Sequence, residues 1–359
     1  MNIPKSGIAV AAALALTALQ ATAQSNTGPT LYGTVDGGFY ARQLAGETRV
    51  SRMDGGMMTT SRWGIRGSED LGGGLTALFD LGGHFRLDTG EVGRHPGDNA
   101  AGRFFSRYSF VGVRGAFGQF RAGRIPTGSF VNTLSFTPFG DSTTLGPFML
   151  HTFVGSQPML ASHGISDGSW NNSLVYNTPT LGNFSGSLQV APGEAAPEGR
   201  RFDGTANYRS GPFAAALSVS RIRAAAYNVP RSRTDPAGAP YVIEAESSTL
   251  GSVSYDFQVV KLFGQWAKAT LRPRGQAEID LDTVGVHAAV PFGAGRFIAS
   301  WARTERTQAG TAERDRTTLA AGYLHSLSKR TDVYAVVMND RATGLRSGTG
   351  YALGMRHHF

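Results

Sequence analysis

Along most of this chain apolar and polar residues take turns. From Gly74 to Asp88, Leu75, Ala77, Phe79, Leu81, Phe85 and Leu87 fall on one parity, and Thr76, Asp80, His84, Arg86 and Asp88 on the other. A period of two marks a strand whose two faces meet different surroundings. The pattern predicts sixteen strands, near 30–42, 57–70, 74–88, 102–116, 117–124, 170–179, 181–192, 201–211, 212–225, 247–257, 258–272, 278–291, 295–307, 313–327, 330–341 and 350–359. Their connections alternate between short turns, such as Asp70-Leu71-Gly72-Gly73-Gly74 and Ser328-Lys329, and long polar stretches such as 43–56, 89–101 and 226–246. Stacked sheets would put the polar parity in bulk solvent. A closed barrel in a membrane turns it to an aqueous interior and the apolar parity to lipid. The even strand count and the two kinds of connection predict the second: an all-β, 16-stranded antiparallel transmembrane barrel. The last strand runs Tyr351-Ala-Leu-Gly-Met-Arg-His-His-Phe359 with its apolar parity kept to the final ring. That fits a strand that pairs with the first and closes the cylinder. Tyr32, Phe110, Tyr176, Phe184, Tyr208, Phe257, Phe297 and Tyr323 recur near strand ends, as aromatic belts at the lipid boundary would.

The opening residues depart from this pattern. Lys5, an apolar run from Ile8 to Leu19 and Ala21-Thr22-Ala23 read as a secretory leader over 1–23, leaving 24–359 as one barrel domain. The run is short of the roughly 20 residues a spanning helix needs. There is no cysteine, so neither disulfides nor thiol chemistry enter.

Alternation also fails from Ile125 to about Ser169. This stretch holds Pro126, Pro138, Pro147 and Pro158, and enough aromatic residues (Phe130, Phe136, Phe139, Phe148, Phe153) to argue against disorder. A segment this long without regular structure points to function.

Formal net charge is +8, with 34 basic side chains against 26 acidic ones, nearly all of the basic ones arginine. Parity places several of these toward the interior. Arg62 and Arg66 oppose Trp63 and Ile65; His84 and Arg86 share the polar parity of their strand. Arg103 and Arg107 are inward if Tyr108 and Phe110 face lipid, and Arg121 is inward if Phe120 faces out. Arg124 is not placed by parity. The segment from Ile125 to Ser169 has only two acids, Asp141 and Asp167, beside His151 and His163. A constriction rich in arginine and poor in carboxylate favours anions.

Five stretches carry a family resemblance: TLYGTVDGGFY (30–40), SRWGIRGSEDLGGGLTALFDL (61–81), FSRYSFVGV (105–113), LHSLSKRTDVYA (324–335) and the terminal YALGMRHHF. In this order they resemble the trimeric general-diffusion porins of Gram-negative bacteria, of the β-proteobacterial type. The resemblance implies a homotrimer in the cell outer membrane that passes small hydrophilic solutes. It also implies that the third loop, about 125–169, folds inward and narrows the channel. Arg62 and Arg107 match positions of the arginine cluster in anion-selective members. A further arginine expected before the sixth strand is absent, since Gly168-Ser169-Trp170 stands there. Phe359 resembles the terminal aromatic read by the barrel-assembly machinery, and lipid and lipopolysaccharide follow as surroundings. The expected lining is therefore Arg62, Arg66, His84, Arg86, Arg103, Arg107, Arg121 and Asp141.

Other readings find little support. No GxSxG or comparable motif accompanies the serines and histidines. His357-His358 lacks a third ligand at metal spacing, and Gly72-Gly73-Gly74 lacks a phosphate-loop context. No enzyme activity, cofactor, metal or nucleic-acid partner is expected. A structural or adhesive barrel with a blocked lumen is the alternative from a different class.

Overall fold

A strand with two unlike faces satisfies its backbone only through its two neighbours, and in this chain that requirement closes on itself. The computed structural model describes residues 28–94, 103–153, 168–193, 199–229 and 241–359. The leader read at 1–23, together with His163 and Asp167, lies outside them. The strands are β1 (Thr30–Arg42), β2 (Val50–Gly55), β3 (Arg62–Gly72), β4 (Leu75–His84), β5 (Tyr108–Gly115), β6 (Gly118–Pro126), β7 (Ser169–Asn177), β8 (Phe184–Ala191) and β9 (Arg201–Ser210). They continue with β10 (Phe213–Val229), β11 (Tyr241–Asp256), β12 (Lys261–Pro273), β13 (Ile279–Phe292), β14 (Gly295–Gln308), β15 (Arg314–Ser326), β16 (Thr331–Ala342) and β17 (Gly348–His358). From β3 onward each pairs antiparallel with the next, and β1 pairs with β17 from Thr34↔His358 to Arg42↔Gly350. The sheet is a closed barrel.

Seventeen segments make sixteen staves. β1 pairs along one edge with β2 through Gly37–Arg42 and with β3 through Thr30–Thr34, so β2 and β3 are two halves of one broken stave. The expected continuous strand over 57–70 and loop over 43–56 are corrected here. Residues 50–55 are strand, and the break lies at Gly56–Ser61. Asp36, fully buried on β1, causes the break: its Oδ2 accepts from the N–H groups of Met58 (3.1 Å) and Thr59 (2.8 Å), and its Oδ1 from the Tyr334 hydroxyl (2.5 Å). These bonds replace the ladder and turn Met57 and Met58 into the interior, where both are buried.

The outward parity is apolar and exposed: Val111, Leu174, Leu188, Leu217, Val253, Val286, Leu319, Val337 and Leu353 all lie on it. At the short-turn rim it ends in touching aromatic rings: Phe117–Phe120–Tyr176, Phe184–Tyr208–Phe213, Tyr255–Phe257 and Phe292–Phe297–Tyr323. Most of the expected belt is there. Tyr32 and Phe110 are not part of it, because both point inward.

The segment after β6 lies inside the barrel. Helix α1 (Gly128–Ser135) is capped by Thr127, whose hydroxyl accepts from the Phe130 N–H at 3.1 Å. It runs along β9 and β10: Ser129 bonds Asp203, and Asn132 donates to Ser218 at 3.0 Å. Helix α2 (Pro147–Thr152) starts on a proline and packs against β13, β14 and β15. The lumenal parity there is apolar: Ile298, Ala320, Leu324, Tyr334, Val336, Met338 and Ala352 form one buried cluster with Met57, Met58, Phe139, Leu145 and Leu150. The barrel therefore has a hydrophobic core on part of its inner wall, covered by its own loop.

Candidate functional site

Three anchors hold the inward segment between α1 and α2 against the β1–β3 wall. The Ser142 hydroxyl donates to the Met57 carbonyl. Arg42 Nη1 donates to the Thr144 carbonyl at 3.1 Å. Arg62 Nη1 meets Asp141 Oδ2 at 2.7 Å, both side chains 19% exposed. Asp141 was expected on a wall facing the arginines; it is instead bonded to one of them. The pair is electrically neutral at a distance, so neither partner sets the sign of the lumen alone.

Beyond α2 the anchors continue. His151 is buried, with Nδ1 2.8 Å from Thr304 Oγ1 and Nε2 2.8 Å from Thr318 Oγ1. Thr318 in turn donates to Asp340 (2.5 Å), which also holds Arg316. Because Thr318 gives its proton to a carboxylate, it accepts from Nε2–H. In the neutral ring Nδ1 is then the acceptor, with the Thr304 hydroxyl as its donor. Burial pushes His151 well below the usual histidine range; Arg316 adds to the effect and Asp340 opposes it. The loop is thus fixed both by packing and by a directed hydrogen-bond chain.

Beside this loop, on β1 and β3–β6, is a wall of arginines lying on aromatic rings. The Arg66 guanidinium carbon stands 5.0 Å from the Tyr32 ring centre, that of Arg107 4.3 Å from Tyr108, and that of Arg121 5.2 Å from Phe110. Such stacking holds a guanidinium plane in place. The neighbouring carboxylate, Asp80, accepts from the Tyr32 hydroxyl at 2.5 Å and is bonded to none of the three. Arg121 donates to Asn177 at 2.8 Å, whereas Arg107 has no hydrogen-bond acceptor for its side chain among the described residues. Burial is the main influence on Arg107 and lowers its pKa, but arginine starts so high that the charge survives.

The inward orientation of Arg107 comes about differently from the parity reading. Tyr108 and Phe110 were expected outward; they are inward. Phe110 is in register with Asp80 and Tyr108 with Gly82, while Val111 takes the outward place at 63% exposure. β5 begins only at Tyr108, so Arg107 is outside the pleat and reaches the lumen from a bend, with its N–H on the Gly82 carbonyl. Both parities of YSFVGV are apolar, which is why hydrophobicity picked the wrong face.

The other expected lining residues divide. Arg62, Arg66, Arg107 and Arg121 share the wall, and His84, in register with Arg62, is buried beside it. Arg86 lies past the end of β4 in a turn of its own, paired with Asp88 (2.7 Å) and Glu91 (2.5 Å). Arg103 lies on the exposed segment before β5, where strand parity does not operate. Neither Arg86 nor Arg103 joins the site through a contact shown with the loop. Where the further arginine was expected, Ser169 donates to the Arg107 carbonyl at 3.3 Å and its own carbonyl accepts from Arg124 at 3.2 Å. Arg124 also donates to Ser106 O (2.7 Å) and Asn171 (2.7 Å), and so ties the two ends of the loop together. Sequence reasoning missed Arg42, Met57 and Met58 as loop anchors. Their partners, Thr144, Phe139 and Leu145, lie far along the chain, and no local pattern signals them.

A description of Gram-negative porins matches residues 9–345 of the chain. Outer membrane porin protein 32 of Delftia acidovorans is 31% identical across 97% of this chain and 98% of its own length. Among solved structures, an anion-selective porin from Comamonas acidovorans superposes with a TM-score of 0.75 at 25% identity, covering 92% of this chain and 99% of that one. The trimer form of OmpT from Vibrio cholerae gives a TM-score of 0.69 at 14% identity over 92% of this chain and 99% of its own, a likeness of fold. A closed sixteen-stave barrel with an inward loop, a family match over most of the chain and a relative matched end to end lead to one conclusion: the chain belongs to the Gram-negative porin family and is an outer-membrane porin.

Proposed function

We propose that each barrel passes small hydrophilic anions in preference to cations by passive diffusion, and that the chain works as a homotrimer. One observation carries the selectivity: at the narrowed level Asp141 is matched by Arg62, while Arg107 carries a charge with no hydrogen-bond acceptor among the described residues. Arg66 and Arg121 add to the positive wall, against Asp80 alone. The anion selectivity stated for the Comamonas relative and the trimer recorded for the Vibrio protein support the same reading. Passage needs no bond making or breaking, and no catalytic role is assigned to any residue. Arg62, Arg66, His84, Arg107, Arg121 and Asp141 are the lining and anchoring groups of this reading. Residues 1–23 serve as its export leader, and lipopolysaccharide surrounds the long-loop rim.

A unit charge a few ångströms from a passing ion contributes about 1 kcal/mol in bulk water and a few times that in a narrow, partly desolvated channel. Reversal potentials in planar bilayers under a salt gradient are expected to show anion preference. Arg107→Glu should cut the anion-to-cation ratio by about tenfold, the ratio equivalent to 1.4 kcal/mol. A cation-preferring parent protein would sink the proposal. Single-channel records silent under all voltages would favour a blocked, structural barrel.

A further inference from the structure

The lipid-facing side of β10–β12 is grooved. Register sets its outward residues in rows across the three strands: Ala215, Val253 and Gly264, then Leu217, Gly251 and Trp266 toward the long-loop rim. Their small members leave an apolar groove with Phe184 and Tyr208 at its short-turn end. Packing does not force glycine there. A Cβ at Gly251 would meet only the Trp266 ring, at 3.9 Å, and one at Gly264 only Val253, at 3.4 Å. A larger residue would fit and hold the strand better. Glycine inside a strand weakens it and commonly marks a place where a ligand or another backbone comes close.

Toward the long-loop rim the same strands turn basic. Successive outward rows carry Lys268 on β12, then Arg221 on β10, then Arg223 and Arg272 on either side of Ala245. Arg221, Arg223 and Lys268 are exposed, and none of them forms an ion pair or side-chain hydrogen bond with a described residue. Arg272 holds Glu278 at 2.8 Å. Acids stand on the next strand: Asp282 opposite Lys268, and Asp280, which already accepts from Thr270 at 2.6 Å. Lys268 lies two residues, about 7 Å, beyond Trp266, and β10 and β12 are about 10 Å apart. An aromatic followed by free cations marks the lipid boundary, where charge on the outer face is tolerated.

We propose that this face binds one lipopolysaccharide molecule per barrel, with an acyl chain laid in the groove and phosphate of its lipid anchor held among Lys268, Arg221 and Arg223. The guanidinium forks donate paired N–H groups to phosphate oxygens, and the lysine adds a point charge. The groove lies directly below these cations on the same strands, so one molecule reaches both. Basic groups spread over about 10 Å across the strands suit a headgroup with two phosphates better than the single phosphate of a glycerophospholipid.

The site rests on the reading that lipopolysaccharide surrounds the long-loop rim, and one titration separates the two. Detergent-held protein is titrated with diphosphoryl lipid A, and bound lipid is counted per chain by native mass spectrometry. Dephosphorylated lipid A and phosphatidylglycerol are run beside it. The parent protein should fill one site per chain with the diphosphoryl lipid. Lys268→Gln should raise the half-saturating concentration by about fivefold, the loss of one cation at a membrane surface. Gly251→Leu, which fills the groove and leaves every charge in place, should raise it by about tenfold. Equal filling in the parent protein and both variants, or equal filling by the dephosphorylated lipid, would overturn the site alone. Tighter filling by phosphatidylglycerol would overturn the choice of lipid. Fewer oligomers in Gly251→Leu with lipid binding unchanged would give the face to a second copy of the chain and overturn the site. A parent protein that binds no lipid A would overturn the reading of the rim as well.

Discussion

At Arg62 the identity of a residue says less than the identity of its partner. An arginine facing a lumen attracts anions only if its charge is not already matched, and Asp141, 79 positions on, matches it at 2.7 Å. Arg62→Gln or Asp141→Asn alone should each shift the reversal potential, in opposite senses, because each leaves one charge behind. The double variant should return close to the parent value, since the pair sums to zero. Failure to return would mean that the two charges act independently on passing ions. His151 gives a second residue-level prediction. Its proton is disfavoured when the loop is docked, so the undocked loop takes up a proton that the docked one refuses, and docking weakens as pH falls. Docking is expected at full strength above about pH 6.5 and to loosen progressively below it. Proteolysis of the loop in detergent-held protein between pH 8 and pH 5 reads this directly. His151→Gln, which has no proton to take up in that range, should flatten the profile, and an unchanged profile would acquit His151.

Among the elements, the inward loop is a folded unit with its own core. Phe148, 1% exposed, sits among Leu250, Ala267 and Ala302 with its ring edge-on to His287 at 6.0 Å. Removing such a ring from a packed site costs about 3–5 kcal/mol, and here that cost falls on docking, because the strands keep their ladders. Phe148→Ala should therefore raise open-channel noise and loop proteolysis while the barrel resists heat as before. A loss of the barrel itself would show that loop and strands fold as one. The broken second stave belongs to the same unit. Met57 and Met58 leave the sheet to meet Phe139, Leu145 and Leu150. A period of two read from 57 onward hides that departure, because a bulge moves a residue from one face to the other without changing its hydrophobicity. β5 failed for a related reason: with Tyr108, Phe110, Val111 and Val113 all apolar, pattern cannot choose a face, and the choice was made by register with Asp80 on β4.

For the molecule as a whole, the closing ladder of β1 and β17 runs on to Gly33 and Phe359, which exchange both backbone hydrogen bonds (3.0 and 3.1 Å). A Cβ at Gly33 would fall 2.3 Å from the Phe359 ring, so the first strand leaves room for the last residue of the final one. Deleting Phe359, or Gly33→Val, should lower the yield of heat-modifiable folded barrel on gels severalfold, while the barrels that do form keep the parent conductance. A changed conductance would place the seam in the ion path, against its outward position. The same yield test bears on Phe359 as an assembly signal: Phe359→Tyr keeps a terminal ring and should assemble better than the deletion.

By itself the sequence determined most of the strands, their count as staves, the outward parity of β17 and the existence of one long loop that is not a strand. These depend on period, turn residues and prolines, which act between near neighbours and leave a local trace. Only the tertiary structure decided which arginines remain unmatched, that Asp141 serves Arg62 instead of facing it, and that Arg86 is satisfied at the rim. It also decided that part of the inner wall is apolar because the loop covers it. Those outcomes depend on pairings across tens to hundreds of residues, and charge compensation and core formation have no period to read.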